Sequence, residues 1–535
     1  MSLTRRDALA RLSALLAIPL VRWPERLADP LAGTIVEYQA GRARRDWTAV
    51  DVTTSALERC AAWNGTLHAI DQLSTTALDE ARASDARAQR GTLRGPLDGV
   101  PVFAKSIYDM TGLPTTASSA EWARLFTAPL RRDAIEVTRM RAAGAVVLGT
   151  TVADDFAYRG NGTSSLSGQV RNPYDPTGTR TPGGSSAGSA VSVACGMAFA
   201  ALGTDDGGSN RIPAQFCGVV GMKPTFGLVP RTGVIPTWPY LDTHGPLART
   251  VADAALLLDA IAGPDASDGL ALTAPWTLGR LALLRDDALD NARLGLVDAH
   301  VPRSQMTAEA LRVFDRAIAD LGAAGAVIEP CAPAVTRSTV RTLFTEAAHA
   351  RGDVVPNANS PAATANALLR YFAGQSSDAR RDVERGLAAY RAFYDVLPRE
   401  WAEMARLIEQ PYERDLAGIS FARSRETVVA QLAGTFRVQR LDAMVYPTMP
   451  FAAPRAIDPW PDVRTALGYG NWLGLPEVSV PAGIGSDGMP AGNISFVGLP
   501  GSDARLLALA HAYERRSRRF VAPPVPITAE DVRRR

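Results

Sequence analysis

The sequence predicts an α/β architecture, a central sheet with helices layered against it. Three stretches carry that prediction. Arg139 to Val147 reads as a helix that turns through a glycine into a strand, and Ala319 to Ile328 repeats the unit. Ala187 to Leu202 is a run of small and apolar residues, with Gly188, Ser189, Ser192 and Gly196 interspersed. Small side chains permit close backbone approach, so this run reads as a tightly packed buried helix followed by a short strand.

The elements follow in chain order. Residues 34–90 read as helices, because Val36, Tyr38 and Val50 to Leu57 have helical spacing with Ser or Thr near the starts. Asp79 to Arg90 is rich in Ala, Arg and Asp and reads as a solvated helix. Arg94 to Gly99 forms a turn, and Val100 to Lys105 reads as a strand, which places Lys105 at the end of an apolar strand. Residues 340–440 are mostly helical and charged. Their aromatic set, Tyr371, Phe372, Tyr390, Phe393, Tyr394, Trp401 and Tyr412, reads as core packing ahead of substrate contact. From Leu441 the chain returns to strand-like pieces, and Asp503 to Arg515 forms a last helix before an arginine- and proline-rich tail.

Composition narrows the function. The chain has 535 residues, 46% of them hydrophobic and 21% charged, which suits a globular protein with a large core. A net charge of +2 points to no general nucleic-acid partner. The four cysteines, Cys60, Cys195, Cys217 and Cys331, lack CxxC spacing and neighbouring histidines, so neither a zinc site nor a disulfide framework is indicated. Burial as small apolar residues is the expected fate of Cys195 and Cys217.

The N-terminus has its own pattern. Arg5-Arg6 precede the apolar run Leu12 to Val21, which resembles a twin-arginine export signal over residues 1–30. The run is too short for a stable membrane anchor. A signal would put the mature protein in the periplasm or outside the cell; a short amphipathic helix would leave it in the cytoplasm.

Residues 181–211 hold two glycine-serine elements, Gly183-Gly184-Ser185-Ser186 and Gly207-Gly208-Ser209. Glycine permits positive φ and leaves backbone N–H groups uncovered, which suits an oxyanion pocket. The surrounding sequence reads GGSSAG, then GTDDGGSNRIPA, then GVVGMKPTFGLVPRTG, then LDTHGPLARTVADAALLLDAIAG. Upstream lies PLDGVPVFAKSIYDMTGLPTTASS. These segments resemble the amidase signature family of serine hydrolases, densely over residues 95–263, with a return in YPTMP and GLPEVSVPAG.

The resemblance implies a single large α/β domain over residues 31–525, built on a central mixed sheet surrounded by helices. It implies a catalytic Lys105, a bridging Ser185 after a cis peptide bond, and a nucleophilic Ser209. The backbone N–H groups of Asp206, Gly207, Gly208 and Ser209 become the oxyanion donors, and Asp205 with Arg211 a supporting pair. The chemistry agrees with the roles. A serine hydroxyl needs a nearby base. A lysine can be that base only when neutral, which burial favours. Ser185 can accept and donate, so it can relay the proton. Amide hydrolysis through a Ser209 acyl-enzyme then yields acid plus amine or ammonia, with no metal and no organic cofactor. The partner expected is a small-molecule amide, with no nucleic acid and a homodimer as the candidate assembly.

Two other functions stay open. The chain could be an A-subunit-like component of a tRNA-dependent amidotransferase, or a non-catalytic binding protein on the same scaffold. A Ser-His-Asp arrangement through His244 and Asp242 is a competing mechanism, although no G-x-S-x-G elbow surrounds Ser209 and His244 reads as a loop residue. Three departures from the family pattern bear on rate and preference: Asp206, Asn210 and Ser106. A carboxylate beside an oxyanion pocket is harmful unless it points away or is paired. Pocket residues are expected from region 340–440 and from the loop Thr237-Trp238-Pro239-Tyr240.

Overall fold

The computed structural model describes residues 29–175, 178–273, 283–373, 375–393 and 415–524. The export-signal reading covers residues 1–30, of which 1–28 lie outside them, as do Tyr394, Trp401, Tyr412 and the side chains of Tyr390 and Phe393.

The strands in chain order are β1 (Ile70–Leu73), β2 (Pro101–Lys105), β3 (Val146–Thr151), β4 (Thr163–Ser164), β5 (Gly168–Gln169) and β6 (Ala200–Thr204). Then come β7 (Val220–Lys223), β8 (His244–Ala248), β9 (Arg293–Leu296), β10 (Val327–Pro330), β11 (Ala443–Pro447), β12 (Glu477–Ile484) and β13 (Pro490–Val497). Among the described residues, 11 of them form one sheet in the order β1-β3-β2-β6-β8-β7-β12-β13-β11-β9-β10, while β4 and β5 pair separately. The sheet is mixed: β3, β2 and β6 run parallel, β8, β7, β12 and β13 alternate antiparallel, and β11, β9 and β10 are parallel again. Helices surround it, as a single domain of this class requires.

The burial pattern follows position in the sheet. β2, β3, β6, β7, β8 and β13 are buried at every residue, whereas the edge strands β1 and β10 are half-exposed. Strands covered on both faces read as continuous apolar runs, which is why PVFAK and VVLGTT show no alternation. The expected helix-to-strand units are present: Ile135–Ala142 leads into β3, Ala308–Ala323 into β10, and Ala187–Ala194 into β6.

One expectation is corrected. Residues 34–90 are not helical throughout, because β1 interrupts them between helices Ala49–Leu67 and Ala77–Gln89. The longer helix opens on a Thr48–Asp51 capping box and ends at His68, whose φ of 52° is left-handed. No glycine or proline marks that stop. Asn64 then braces β1 by donating to Ile70 O and accepting from Ile70 N. Tyr371 and Phe372 are core residues as expected, packed against Trp122.

This topology brings one end of the central strands together. Lys105 ends β2, Thr204 ends β6, and His244 begins β8 directly opposite Thr204. Lys223 ends β7 opposite Glu477 of β12. In an α/β sheet, this carboxyl end of the parallel strands is where ligand sites form.

Candidate active site

Lys105 is fully buried, and three hydroxyls surround its ammonium nitrogen. Nζ donates to Ser185 Oγ at 2.8 Å, to Thr204 Oγ1 at 2.8 Å and to Ser186 Oγ at 3.3 Å. Burial lowers the Lys105 pKa to about 8, against the opposing pull of the Asp206, Asp154, Asp205 and Asp242 carboxyl groups. Ser186 spends its own proton on Thr204 O and Asn210 Oδ1. Once Lys105 is neutral, its two N–H groups fit Thr204 and Ser186, and its lone pair is left for the Ser185 hydroxyl.

The peptide bond between Gly184 and Ser185 is cis. Ser186 N donates to Ser209 O at 3.1 Å, which ties the two glycine-serine elements together. Ser209 lines a pocket of about 480 Å³ together with Asp206, Gly207, Thr237, Trp238 and Trp460. Its hydroxyl makes no hydrogen bond to a described residue, so Lys105 and Ser185 are joined here while Ser209 faces the pocket.

The loop that carries Ser209 is held from behind. Asp205 accepts from Gly208 N at 2.7 Å and Asn210 N at 3.2 Å, and accepts from Arg211 Nε and Nη2, one edge of the guanidinium, each at 2.9 Å. Arg211 also donates to Glu477 at 2.6 Å and Asn471 at 2.8 Å. The Arg211 guanidinium holds the Asp205 carboxyl well below the usual carboxylate range despite its burial. That stabilisation is present above the ordinary carboxylate pKa and is lost only as pH falls through the depressed folded value. Arg211→Met is expected to cost about 3–5 kcal/mol, because it leaves two buried carboxylates unpaired. A urea titration checks this, and an unchanged midpoint would refute it.

The Gly208 N–H is thereby committed to Asp205. Of the four expected oxyanion donors, the N–H groups of Asp206, Gly207 and Ser209 make no hydrogen bond to a described residue and remain available. Two glycines are required by geometry. Gly208 has φ of 129°, and a Cβ on Gly203 would lie 2.2 Å from Asn210 Oδ1 and 2.5 Å from Ser186 Oγ.

Two of the three departures from the family pattern find hydrogen-bond partners. Asn210 joins Ser186 to the carbonyls of Met222 and Gly245, bracing the loop against β7 and β8. Ser106 bonds Ser118 at 2.7 Å. Asp206 sits opposite Asp242, and burial with that neighbouring carboxyl raises its pKa well above the ordinary value.

His244 is not a loop residue. It begins β8, lies buried against Tyr108, and its Nδ1 meets Glu136 Oε1 at 2.5 Å. No hydrogen bond joins it to Ser209 among the described residues. Asp242 is occupied by the N–H groups of Thr237 and Trp238. Region 340–440 supplies no described residue to the pocket wall. The wall comes from residues 157–161, 206–212 and 237–238, and from Trp460. Sequence reasoning missed Thr204, Ser186 and Asp154. The last accepts three N–H bonds from residues 161–163 and so shapes the wall. Thr204 stands inside the GTDDGGS segment, which was the available signal. Among the described residues no cluster of His, Cys, Asp or Glu could hold a metal ion, and no helix is long and apolar enough to cross a membrane.

Known proteins resemble this chain in sequence and in fold. The family model described as Amidase matches residues 51–507. The A subunit of glutamyl-tRNA(Gln) amidotransferase from Symbiobacterium thermophilum is 35% identical over 497 residues, spanning 89% of this chain and 95% of its own length. The protein of the same name from Chloroflexus aurantiacus is 35% identical over 502 residues, spanning 90% and 96%. Among solved structures, native peptide amidase from Stenotrophomonas maltophilia superposes with a TM-score of 0.75 at 31% identity, covering 94% of this chain and 99% of that one. An amidase family protein from Bacillus anthracis str. Ames gives 0.73 at 26% identity, covering 93% of each.

Proposed function

The chain belongs to the amidase family, and from that premise we propose that it cleaves a carboxylic amide through an acyl-enzyme on Ser209. As a member it is an enzyme of amide C–N bonds, of the hydrolase or amidotransferase kind. The observation that carries the proposal is the buried Lys105 bonded to Ser185 beside the pocket that Ser209 lines.

The steps follow from the residues. Neutral Lys105 accepts the Ser185 proton while Ser185 accepts that of Ser209. Ser209 Oγ attacks the amide carbon. The carbonyl oxygen becomes an oxyanion facing the free N–H groups of Asp206, Gly207 and Ser209. The relay, run backwards, delivers a proton to the leaving nitrogen and the C–N bond breaks. Water then hydrolyses the ester, releasing the acid.

What becomes of the nitrogen separates two readings. A free-standing amidase releases it, and the peptide amidase fold neighbour supports that reading. The curated relatives favour the second more strongly: each is named as one subunit of an amidotransferase, which implies partner subunits. The chain expressed alone is expected to release ammonia or amine from simple carboxamides, and a serine-directed fluorophosphonate is expected to label Ser209 alone. Activity that appears only after partner subunits are added would move the assignment to the amidotransferase reading.

A further inference from the structure

The antiparallel ladder between β6 and β8 runs one step past its named ends. Thr204 faces His244, and Asp205 N donates to Thr243 O at 2.7 Å. The next pair in that register is Asp206 opposite Asp242. Two carboxyl groups directly across a ladder repel when both are ionised.

Their surroundings differ. Asp242 has an N–H donor on each oxygen, from Trp238 at 2.8 Å and Thr237 at 3.1 Å. Asp206 is only 5% exposed, and neither of its oxygens receives a hydrogen bond from a donor among the described residues. It lines the pocket beside Ser209. Burial, and then the neighbouring Asp242 carboxyl, raise the Asp206 pKa well above the ordinary carboxylate value. A buried acceptor without a donor is costly, so a group that supplies one binds with advantage.

The pocket adds aromatic faces. Trp238, Tyr158 and Trp460 line it, with Trp238 edge-on to Tyr158 at 5.7 Å between ring centres. Two facing carboxyl groups, one of them without a donor, beside aromatic rings are the chemistry that receives an ammonium group. Two cations oppose it. Lys105 lies behind the loop and is neutral in the working form, and Arg159 stands on the exposed part of the wall.

We propose that Asp206 is a specificity-determining residue that binds a substrate ammonium group, so that the preferred amides carry a protonated amine on a short acyl chain. The proposal rests on the amide-cleavage reading of this pocket. It assigns the Asp206 side chain a role apart from that of its backbone N–H.

The test measures binding separately from turnover. Calorimetry on the Ser209→Ala protein compares β-alaninamide with butyramide, and L-alaninamide with isobutyramide, each pair differing by an ammonium in place of a methyl. The amino compound is expected to bind about tenfold tighter or more in each pair. In Ser209→Ala/Asp206→Asn, which keeps the size but removes the charge, the ratio is expected to fall to about one. Equal binding of amino and neutral amides overturns the proposal. So does a preference that survives Asp206→Asn, or no measurable binding of either amino compound. Ammonia release by the unmodified enzyme from the same four amides is read in parallel. Its complete absence would count against amide cleavage itself, a result distinct from any pattern of binding.

Discussion

The Ser209→Ala protein is expected to keep its fold and to lose amide cleavage by a factor on the order of 10⁶, the scale seen when a serine nucleophile is deleted. The fold survives because the change removes a hydroxyl that faces the pocket and bonds no described residue. The loop remains anchored by Ser186 N on Ser209 O and by Gly208 N on Asp205. Initial rates of ammonia release, with circular dichroism as the control, check both halves. Normal turnover by a well-folded Ser209→Ala protein would end the assignment of the nucleophile.

Lys105 is expected to give the second-largest effect, and the one that identifies the base. Its pKa of about 8 means that it is neutral above that pH and protonated below. Activity is therefore expected to rise with pH through about 8 and to fall on the acid side, because protonation removes the lone pair that Ser185 needs. Lys105→Ala is expected to lose about 10²–10⁴-fold in rate and to lose that acid limb as well. Lys105→Arg is not expected to rescue, since a guanidinium stays protonated. Ser185→Ala cuts the relay while leaving both ends and is expected to be damaging too. Were His244 the base, His244→Ala would be the silencing change and Lys105→Ala would retain the acid limb. pH–rate profiles of these variants on one amide separate the two mechanisms.

The features legible in the sequence are those encoded locally. Paired glycines before a serine, an apolar strand ending in Lys105, and a small-residue helix leading into β6 each leave a contiguous trace. The strand β1 left little, because four residues are too few for a period and the helix before it stops at His68 without a glycine. Partners contributed from afar left none. Asn471 and Glu477 reach Arg211 across more than two hundred positions; Glu477 stands in the GLPEVSVPAG segment, but nothing in that segment or beside Asn471 points to Arg211. Asp206 was visible as an oddity, but its opposition to Asp242 depends on the β6–β8 register. The pocket wall was legible in part: Thr237 and Trp238 line it as expected, whereas the described helices Val340–Ala350 and Leu416–Gln439 pack against each other and Trp460 comes in from a segment with no regular structure.

The clasp around Arg211 has a consequence for synthesis. Its first half, Asp205 and Arg211, leaves the ribosome with Ser209. Its second half, Asn471 and Glu477, follows 260 and 266 residues after Arg211. At about 5–20 residues per second that is an interval of tens of seconds. Throughout it Lys105, Ser185 and Ser209 have all been made, yet the loop that carries Ser209 lacks the two acceptors that fix its arginine. A nascent chain thus holds every reacting group before it holds the means to aim them. Competence to cleave an amide is therefore expected only once Asn471 and Glu477 have been made and have closed on Arg211.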